Sequence, residues 1–291
     1  MGGKLVESGT DQLALSTAST PSRVFGAVLG KLTEPTKDEI LAFCAAAPVE
    51  RVFLEDVARR GVGRFVATRG DAGNLRGLCH LGTNVVPSGE GCAVFAGTAA
   101  RMAPRMLIGE EKAVGELWEA GRRRFGDLRE DRPGQPVYEI RALPEPGETG
   151  LRPATLADLD LLLPACAAAH EEELGIDPLA RDPHGYRWRT RAQIEEGRSW
   201  LWEENGIIRF KAEASAWTPS AVQLQQVWVD PPARRQGDAS RGIRDLIRLL
   251  RADADAVCLF VRRDNAPAIR LYESVGMTRV LCYRSVLLCE R

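Results

Sequence analysis

The chain has 291 residues, of which 44% are hydrophobic and 27% charged, and its formal net charge is −1. This length is sufficient for two domains, each with a substantial core. A net charge near zero gives no general attraction to nucleic acid, and we expect no DNA binding.

The cysteine and histidine content argues against disulfides and metal sites. The seven cysteines are odd in number and scattered, and there are only three histidines. This pattern is typical of a reducing compartment, and it predicts no metal centre. No signal peptide is evident at the N-terminus, and no apolar run approaches about 18 residues, the minimum for a membrane-spanning helix. We therefore expect a cytoplasmic protein without membrane contact.

The first half of the chain mixes helical and strand patterns. Residues 1–20 are polar and rich in Ser, Thr and Gly, which predicts a loose tail. The elements expected next are helices over 37–47 and 110–125, antiparallel strands over 64–68 and 75–81, and short strands or helix ends over 92–95 and 105–108. We interpret residues 21–142 as a domain.

Cys79 and His80 lie side by side within a predicted strand. Adjacent strand residues point to opposite faces, so this pair is poorly placed to act as a nucleophile and its base. We expect a core cysteine beside a surface or hydrogen-bonded histidine.

Residues 143–150, LPEPGETG, have no apolar periodicity and predict a linker before a second domain at 151–291. The expected elements are a strand at 151–155, helices over 158–169 and 186–196, and a hairpin of strands 199–202 and 207–213 that turns at Asn205-Gly206.

The stretch from Val222 to Tyr272 predicts the functional centre. A strand ends at Asp230-Pro231-Pro232, and a helix begins near Gly237 with apolar residues at Ile243, Leu246, Ile247 and Leu250. A strand, a basic glycine-containing turn and a helix form an arrangement that suits phosphate, because the helix N-terminus offers free N–H groups. A buried strand over 256–261 follows, and then a short helix that Asp264 or Asn265 caps and Gly276 ends.

Two motifs within this stretch resemble those of the GNAT superfamily of N-acyltransferases. The pattern R-x-x-G-x-G/A is matched by Arg234, Gly237 and Ala239, and N-x-x-A-x-x-x-Y-x-x-x-G is matched by Asn265, Ala268, Tyr272 and Gly276. The resemblance extends over most of the chain, to a tandem two-GNAT type, through residues 82–87, 172–175, 210–213 and 223–229.

The resemblance implies an α+β (mixed α/β) fold with two tandem GNAT-like domains, each a mostly antiparallel twisted sheet flanked by helices. The N-terminal domain lacks both motifs, so we interpret it as a degenerate scaffold or acceptor-binding half. The C-terminal half is expected to be an N-acyltransferase that forms an amide from acyl-CoA, most simply acetyl-CoA, and the amine of a small molecule.

The resemblance also implies roles for individual residues. The expected donor-binding set is Val227, Trp228, Val229, Arg234, Arg235, Gln236, Gly237, Asp238, Ala239, Ser240, Asn265 and Ala268. In the family the central strand splays and frees a backbone N–H for the acyl oxygen, which would lie near 227–229. Tyr272 takes the leaving-group position. A phenol of pKa about 10 that protonates a thiolate of pKa about 8.5 works uphill by about 2 kcal/mol, so Tyr272 acts either as an acid of lowered pKa or as a hydrogen-bond donor.

The general base is less defined. Gln223, Gln225 and Gln226 stand where many relatives have a glutamate. Glu172, Glu173 or a water molecule would then deprotonate the amine, although three adjacent glutamates also fit a solvated helix end.

Several departures from the family pattern keep other functions open. Arg235 replaces a glycine, and the Asp238 carboxylate, about 6 Å from a pyrophosphate, would cost on the order of 1–3 kcal/mol. Arginines cluster on one helix face and at the next strand end: Arg241, Arg244, Arg248, Arg251, Arg262 and Arg263. They fit either a solvated face or RNA contacts, so aminoacyl-tRNA is the alternative donor. A non-catalytic ligand-sensing module is the third hypothesis, and the acceptor and the oligomeric state stay open.

Overall fold

The computed structural model describes residues 32–289, which form one continuous sheet with helices on both faces. The strands of this part of the chain are β1 Arg64–Arg69, β2 Leu75–Leu81, β3 Asn84–Gly89, β4 Met106–Glu110, β5 Leu128–Ile140, β6 Arg152–Pro153, β7 Ser199–Glu204, β8 Ile207–Trp217, β9 Val222–Trp228, β10 Val257–Phe260 and β11 Thr278–Leu288.

The α-helices are α1 Lys37–Ala45, α2 Val52–Arg59, α3 Ala96–Ala100, α4 Glu111–Gly121, α5 Leu159–Leu174, α6 Pro178–Arg181, α7 Pro183–Glu195, α8 Asp238–Leu250 and α9 Ala266–Ser274. Local sequence explains where several begin. A capping box of Thr36 and Glu39 starts α1, and the Asn265 side chain accepts the Ala268 N–H at the start of α9.

The strand order is β1-β2-β3-β4-β11-β5-β10-β9-β8-β7-β6. The pairs β3–β4 and β9–β10 are parallel, and the other neighbours are antiparallel. A mostly antiparallel sheet flanked by helices confirms the predicted fold class.

The two halves of the chain exchange strands at the centre of the sheet. β11, the last strand, lies beside β4 of the N-terminal half, and β5 of that half lies between β11 and β10. The register is extensive, because β5 pairs with β11 from Thr278↔Glu139 to Leu288↔Leu128 and with β10 over all four residues of that strand. The halves are therefore joined by backbone hydrogen bonds. The predicted boundaries at 143 and 150 stay a prediction.

The core lies in layers on both faces of this sheet. On one face, α8 and α9 cover apolar residues of β7 to β10, including Trp200, Trp202 and Leu224. The four apolar residues predicted for α8 are fully buried there. On the opposite face, α5 and α7 pack against Leu201, Ile208 and Trp228. The central strands are thus buried on both sides, which fixes the position of the segments that leave their ends.

Several local predictions are confirmed, and three strands were missed. β1 and β2 pair antiparallel, and the hairpin of β7 and β8 turns at Asn205 and Gly206, both with positive φ as a type I′ turn requires. Residues 92–95 form a 3₁₀ turn. The strands without a sequence prediction are β3, β5 and β11.

Cys79 and His80 have structural roles. Cys79 is fully buried, and the His80 ring lies edge-on to Phe53 and Phe65 with Nδ1 3.1 Å from the Asn84 carbonyl oxygen. Burial lowers the pKa of His80 below its ordinary value. This environment suits a neutral, packed imidazole.

The tail predicted at 1–20 lies outside the described residues. Within residues 32–289, no helix is long and apolar enough to span a membrane. The same region holds no cluster of three or more His, Cys, Asp or Glu side chains with the geometry of a metal site.

A buried ion pair also joins the halves. Arg198, before β7, donates to both carboxylate oxygens of Asp56 on α2, at 3.1 and 2.7 Å. The two side chains are 11% and 4% exposed. A buried pair of this kind adds little net stability, but removing one partner leaves the other charge desolvated and unpaired.

We predict that Asp56→Asn lowers the free energy of unfolding by about 3–5 kcal/mol, because the buried Arg198 guanidinium loses the carboxylate that pairs with both its Nη groups and keeps only Glu196, 3.4 Å from its Nε. Chemical denaturation measures this value. The control is Arg191→Gln, which removes an exposed pair with Glu195 and should cost no more than about 0.5 kcal/mol. Equal effects of the two variants would contradict the importance of this pair.

Candidate active site

A cleft opens where β9 and β10 diverge. Their parallel pairing covers only Val257↔Val222 and Cys258↔Gln223. β10 continues along β5 as far as Phe260, whereas β9 stays with β8 as far as Trp228. The edge of β9 that faces the cleft is thus separated from β10 beyond Gln223, and 227–229, where we expected the free backbone N–H, lie at its far end.

A bulge in β9 accompanies this divergence. Between the pairs Lys211↔Trp228 and Glu213↔Gln225, β9 has one residue more than β8. Gln226 lies in this bulge with φ of 49°, in the left-handed region that non-glycine residues rarely adopt. Such strain persists only where the surroundings hold it in place.

The surroundings are a buried polar cluster that sequence reasoning missed. Lys211 is fully buried, and its Nζ donates to Glu213 Oε1 at 3.0 Å, to Gln226 Oε1 at 3.3 Å and to Cys166 Sγ at 3.1 Å. Burial alone would lower the pKa of Lys211, but Glu213 and Cys166 raise it above its ordinary value. The ammonium group therefore stays charged and anchors the bulge.

Burial raises the pKa of the Cys166 thiol to about 12. This thiol is therefore a donor to Glu213, at 3.2 Å, and is not a nucleophile. A signal for the cluster was present in the sequence, since Lys211 and Glu213 are two residues apart in an apolar strand and must face the same side.

The loop predicted to bind phosphate lies at the end of β9. A 3₁₀ turn at Pro231–Ala233 leads to Arg234, Arg235, Gln236 and Gly237, all exposed. Gly237 has φ of 85° and precedes the first residue of α8. The N–H groups of the first turn of α8 are therefore next to an open, basic loop, as an anion site requires.

Arg234 is tied to the C-terminal end of α5. Its Nη2 donates to Glu172 Oε1 at 2.6 Å, and its Nε donates to the Val229 carbonyl oxygen at 3.0 Å. Trp228 Nε1 donates to the same oxygen of Glu172, at 3.2 Å. A predicted donor-binding residue and a predicted catalytic residue are thus partners of each other, so Glu172 is an anchor for the loop.

The Asp238 side chain lies away from solvent. It is 6% exposed, and Arg209 Nη1 lies 3.4 Å from its Oδ2. The adjacent positive charge offsets the repulsion that we expected between Asp238 and a donor phosphate. Asp238 is also in the first turn of α8, where the helix dipole favours an acidic residue.

Glu173 is in an environment that suits a proton acceptor. Its side chain is open to solvent, but surrounding protein partly desolvates the carboxyl group and raises its pKa above the ordinary 4.5. The charges near it are Arg132, Arg262 and Lys211, which lower the pKa, and Glu213, which raises it. Of the two predicted glutamates, Glu173 is therefore the better candidate for proton transfer.

Tyr272 on α9 is the second candidate for proton transfer. It is 7% exposed, and burial together with the charge of Glu173 raises its pKa well above the ordinary value. Tyr272 belongs to the same apolar cluster as Val229, and Ala239 and Ala268 pack against that cluster. The residues on either side of the loop and the tyrosine therefore pack against one hydrophobic core. A raised pKa favours the hydrogen-bond donor over the full acid.

The arginines of α8 contact the linker. Arg241 donates to the carbonyl oxygens of Gly147 and Glu148, Arg248 to that of Pro144, and Arg251 to that of Arg141, at 2.6 to 2.9 Å.

Asp245 on α8 accepts the N–H groups of Gly147 and Thr149 at 2.6 and 2.8 Å. Gly147 approaches α8 so closely that a Cβ atom there would overlap the Arg241 carbonyl group. The linker is therefore bound along the helix, and it holds two of the predicted RNA-contacting arginines, Arg241 and Arg248.

The other predicted RNA contacts differ from these. Arg244 Nε donates to the Ser240 carbonyl oxygen at 3.2 Å on its own helix. Arg262 pairs with Asp264 at 2.8 Å and lies 3.9 Å from Glu130, whereas Arg263 is exposed. RNA binding by these residues stays a prediction.

The sheet separates between β9 and β10 beside the N-terminus of α8, and the next helix, α9, carries Tyr272. This is the arrangement that the resemblance to GNAT N-acyltransferases implies. Comparison with known families gives the same result. Residues 166–277 match the acetyltransferase (GNAT) family, and residues 65–162 match a domain of unknown function, DUF4081. The C-terminal part of the chain is therefore similar to GNAT acetyltransferase domains. No curated protein matches the chain.

Solved structures share the fold over nearly the whole chain. A Drosophila protein is 12% identical, covers 89% of this chain and 99% of its own, and has a TM-score of 0.62. A GCN5-related N-acetyltransferase from Sphaerobacter thermophilus is 17% identical, with coverages of 88% and 94% and a TM-score of 0.54. A tandem GNAT protein from the clavulanic acid biosynthesis pathway is 11% identical, with coverages of 88% and 97% and a TM-score of 0.50.

The backbone conformation of Arg235, in the loop before α8, affects the stability of the protein. Arg235 has φ of 63°, so the glycine typical of relatives fits this position better. Left-handed backbone costs about 1–2 kcal/mol for an L-residue, and glycine returns part of this through unfolded-state entropy. We expect Arg235→Gly to raise the free energy of unfolding by up to about 1 kcal/mol.

The control is Gln236→Gly, since Gln236 is not among the positive-φ residues and should lose about 0.5–1 kcal/mol. Chemical denaturation of both variants measures these changes in the free energy of unfolding. A loss in Arg235→Gly as large as that in Gln236→Gly would show that the backbone at 235 is unstrained.

Proposed function

We propose that the C-terminal half transfers an acetyl group from acetyl-CoA to the amine of a small molecule. The observation that carries this proposal is the edge of β9 that separates from β10 and leads to the exposed loop 234–237. Glu173 and Tyr272 are the candidate groups for proton transfer. Each part suits one part of the reaction.

The donor would be held by its phosphates. The N–H groups at the start of α8, together with Arg234 and Arg235, supply the charge and hydrogen bonds that a pyrophosphate needs. The thioester would then extend along the edge of β9, with its carbonyl oxygen directed to backbone N–H groups at 227–229. These groups stabilise the oxyanion as the amine nitrogen attacks the carbonyl carbon.

Proton movements complete the reaction. Glu173 takes a proton from the attacking amine, the C–S bond breaks, and the CoA thiolate leaves. Tyr272, kept protonated by its raised pKa, donates a hydrogen bond to the leaving sulfur. The buried pair of Lys211 and Glu213 holds the bulge that shapes the β9 edge.

Acyl-CoA is favoured over aminoacyl-tRNA because Arg241 and Arg248 hydrogen bond the linker and Arg251 bonds the Arg141 carbonyl oxygen. Two measurements test the donor. CoA at 100 times its Kd should stabilise the protein by about 2.7 kcal/mol in a thermal-shift assay. A gel shift with bulk tRNA should show no salt-sensitive complex. No response to CoA together with a salt-sensitive tRNA complex would reverse the choice of donor.

We predict that Tyr272→Phe lowers kcat by about 10- to 100-fold, because the leaving thiolate loses one hydrogen bond to a charged atom. Affinity for CoA should change little. The matched control is Tyr138→Phe, whose ring lies 6.3 Å from that of Tyr272 and whose hydroxyl donates to Glu273. Full activity of Tyr272→Phe would instead support a ligand-sensing module.

The pH dependence of kcat/KM tests the base. Glu173 must be deprotonated to act, and its pKa lies above 4.5, so activity should increase as the pH rises through that raised value. We expect Glu173→Gln to abolish this acidic limb and to lower the plateau by about 100-fold. Glu172→Gln should retain the limb, and its loss in that variant would identify Glu172 as the base.

A further inference from the structure

The strand exchange brings an arginine of the N-terminal half to the acceptor side of the cleft. Arg132 lies on β5, opposite Ser285 of β11. Its Nη2 donates to the Glu173 carbonyl oxygen at 3.1 Å and to Glu130 Oε2 at 2.6 Å. The guanidinium group therefore contacts the residue that we assign as the base.

This guanidinium group is incompletely bonded. The Arg132 side chain is only 9% exposed, and its Nε is buried without a hydrogen-bond partner within residues 32–289. A buried N–H with no acceptor is costly, and such groups in folded proteins call for an explanation. Nη2, the amino group parallel to Nε, already donates to Glu130 and Glu173. The Nε–H is therefore left to donate one charge-assisted hydrogen bond to a carboxylate.

Resting on the acetyltransferase function above, we propose that Arg132 binds a carboxylate of the acceptor, so that the acceptor is an amino acid whose amine is presented to Glu173. Arg262 also lies near this place, 3.9 Å from Glu130, and acts on the Glu173 carboxyl group. A small molecule with both an amine and a carboxylate would place its amine at Glu173 and its carboxylate at the unpaired Nε–H of Arg132.

The local charge favours a carboxylate over a phosphate. Glu130 pairs with Arg132 at 2.6 Å, and Asp264 pairs with Arg262 at 2.8 Å. Two cations are thus already matched by two anions, and a doubly charged phosphate ester would be repelled. A singly charged carboxylate that reaches Nε meets a free donor at a lower electrostatic cost.

The test uses acceptors that differ only in the carboxylate. Acetyl transfer is measured over the twenty amino acids and over matched amines without the carboxylate, such as phenethylamine for phenylalanine and cadaverine for lysine. The wild type should favour the amino acid of a pair by at least about 10-fold in kcat/KM. Arg132→Gln should reduce this ratio by about 10- to 100-fold, because a charge-assisted hydrogen bond is lost.

Arg129→Gln is the matched control. Arg129 is on the same strand and donates to the Leu174 carbonyl oxygen at the same end of α5, but its side chain is exposed. If Arg132→Gln acted only by loosening the end of α5, Arg129→Gln would lower the ratio equally. We expect it to preserve the ratio. Should Arg132→Gln fail to fold, Arg132→Lys allows the same comparison, because lysine keeps the positive charge but has no Nε–H donor.

A binding measurement separates this proposal from the acetyltransferase function. Thermal shifts are recorded with N-acetylphenylalanine and N-acetylphenethylamine, which need no turnover. Stabilisation by the carboxylate alone, lost in Arg132→Gln, supports the site even if no acetyl transfer occurs, and the transferase proposal would then fail by itself. Equal shifts, no shift with either compound, or an unchanged acceptor ratio in Arg132→Gln would overturn the carboxylate site.

Discussion

The structure depends on the pairing of β5 with β10 and β11. A strand from the first half lies between two strands of the second, so separating the halves would break backbone hydrogen bonds along both edges of β5. Such groups are rarely left unpaired in a protein interior. The GNAT match ends at residue 277, immediately before β11 begins. The matched domain therefore has a complete sheet only together with β5 from the other half.

The same pairing explains how a half without catalytic motifs can take part in the chemistry. β5 is long enough to pass the end of α5, and its arginines bond the carbonyl oxygens of Glu173 and Leu174. Helix C-termini leave carbonyl groups without partners inside the helix, and cations are favourable there. The N-terminal half thus contacts the main chain at the candidate base. Such a contact is what an acceptor-binding half would need, and that role stays a prediction.

Local patterns in the sequence predicted what is local in the structure. The helix α8, its glycine start and the hairpin at Asn205-Gly206 each follow from a few adjacent residues. β5 was missed because Pro133, Gly134 and Pro136 interrupt its pattern. Pro133 and Gly134 lie where the register with β11 shifts, between Tyr283 and Ser285, and a bulge accommodates them without ending the strand, whereas Pro136 stays in register opposite Cys282.

Residues that act through distant partners were beyond such patterns. The spacing of Arg241, Arg248 and Arg251 gave their shared helix face correctly but not what covers it. Carbonyl oxygens of residues 141–147, some hundred positions earlier in the chain, accept these hydrogen bonds, and only the folded chain shows this. Glu172 and Glu173 are likewise adjacent in sequence, but Glu172 anchors Arg234. The charge of Glu173 instead acts on the Tyr272 hydroxyl.

The strength of the contact between Arg234 and Glu172 suits a loop that must bind a donor. Both side chains are well exposed, at 41% and 50%, so their ion pair contributes only about 0–1 kcal/mol. A pyrophosphate that takes the guanidinium group therefore displaces little energy. The buried pair of Lys211 and Glu213 is the opposite case, because removing either charge would strand the other at the bulge. The site thus combines a firmly held β9 edge with a loop whose arginine is easily released.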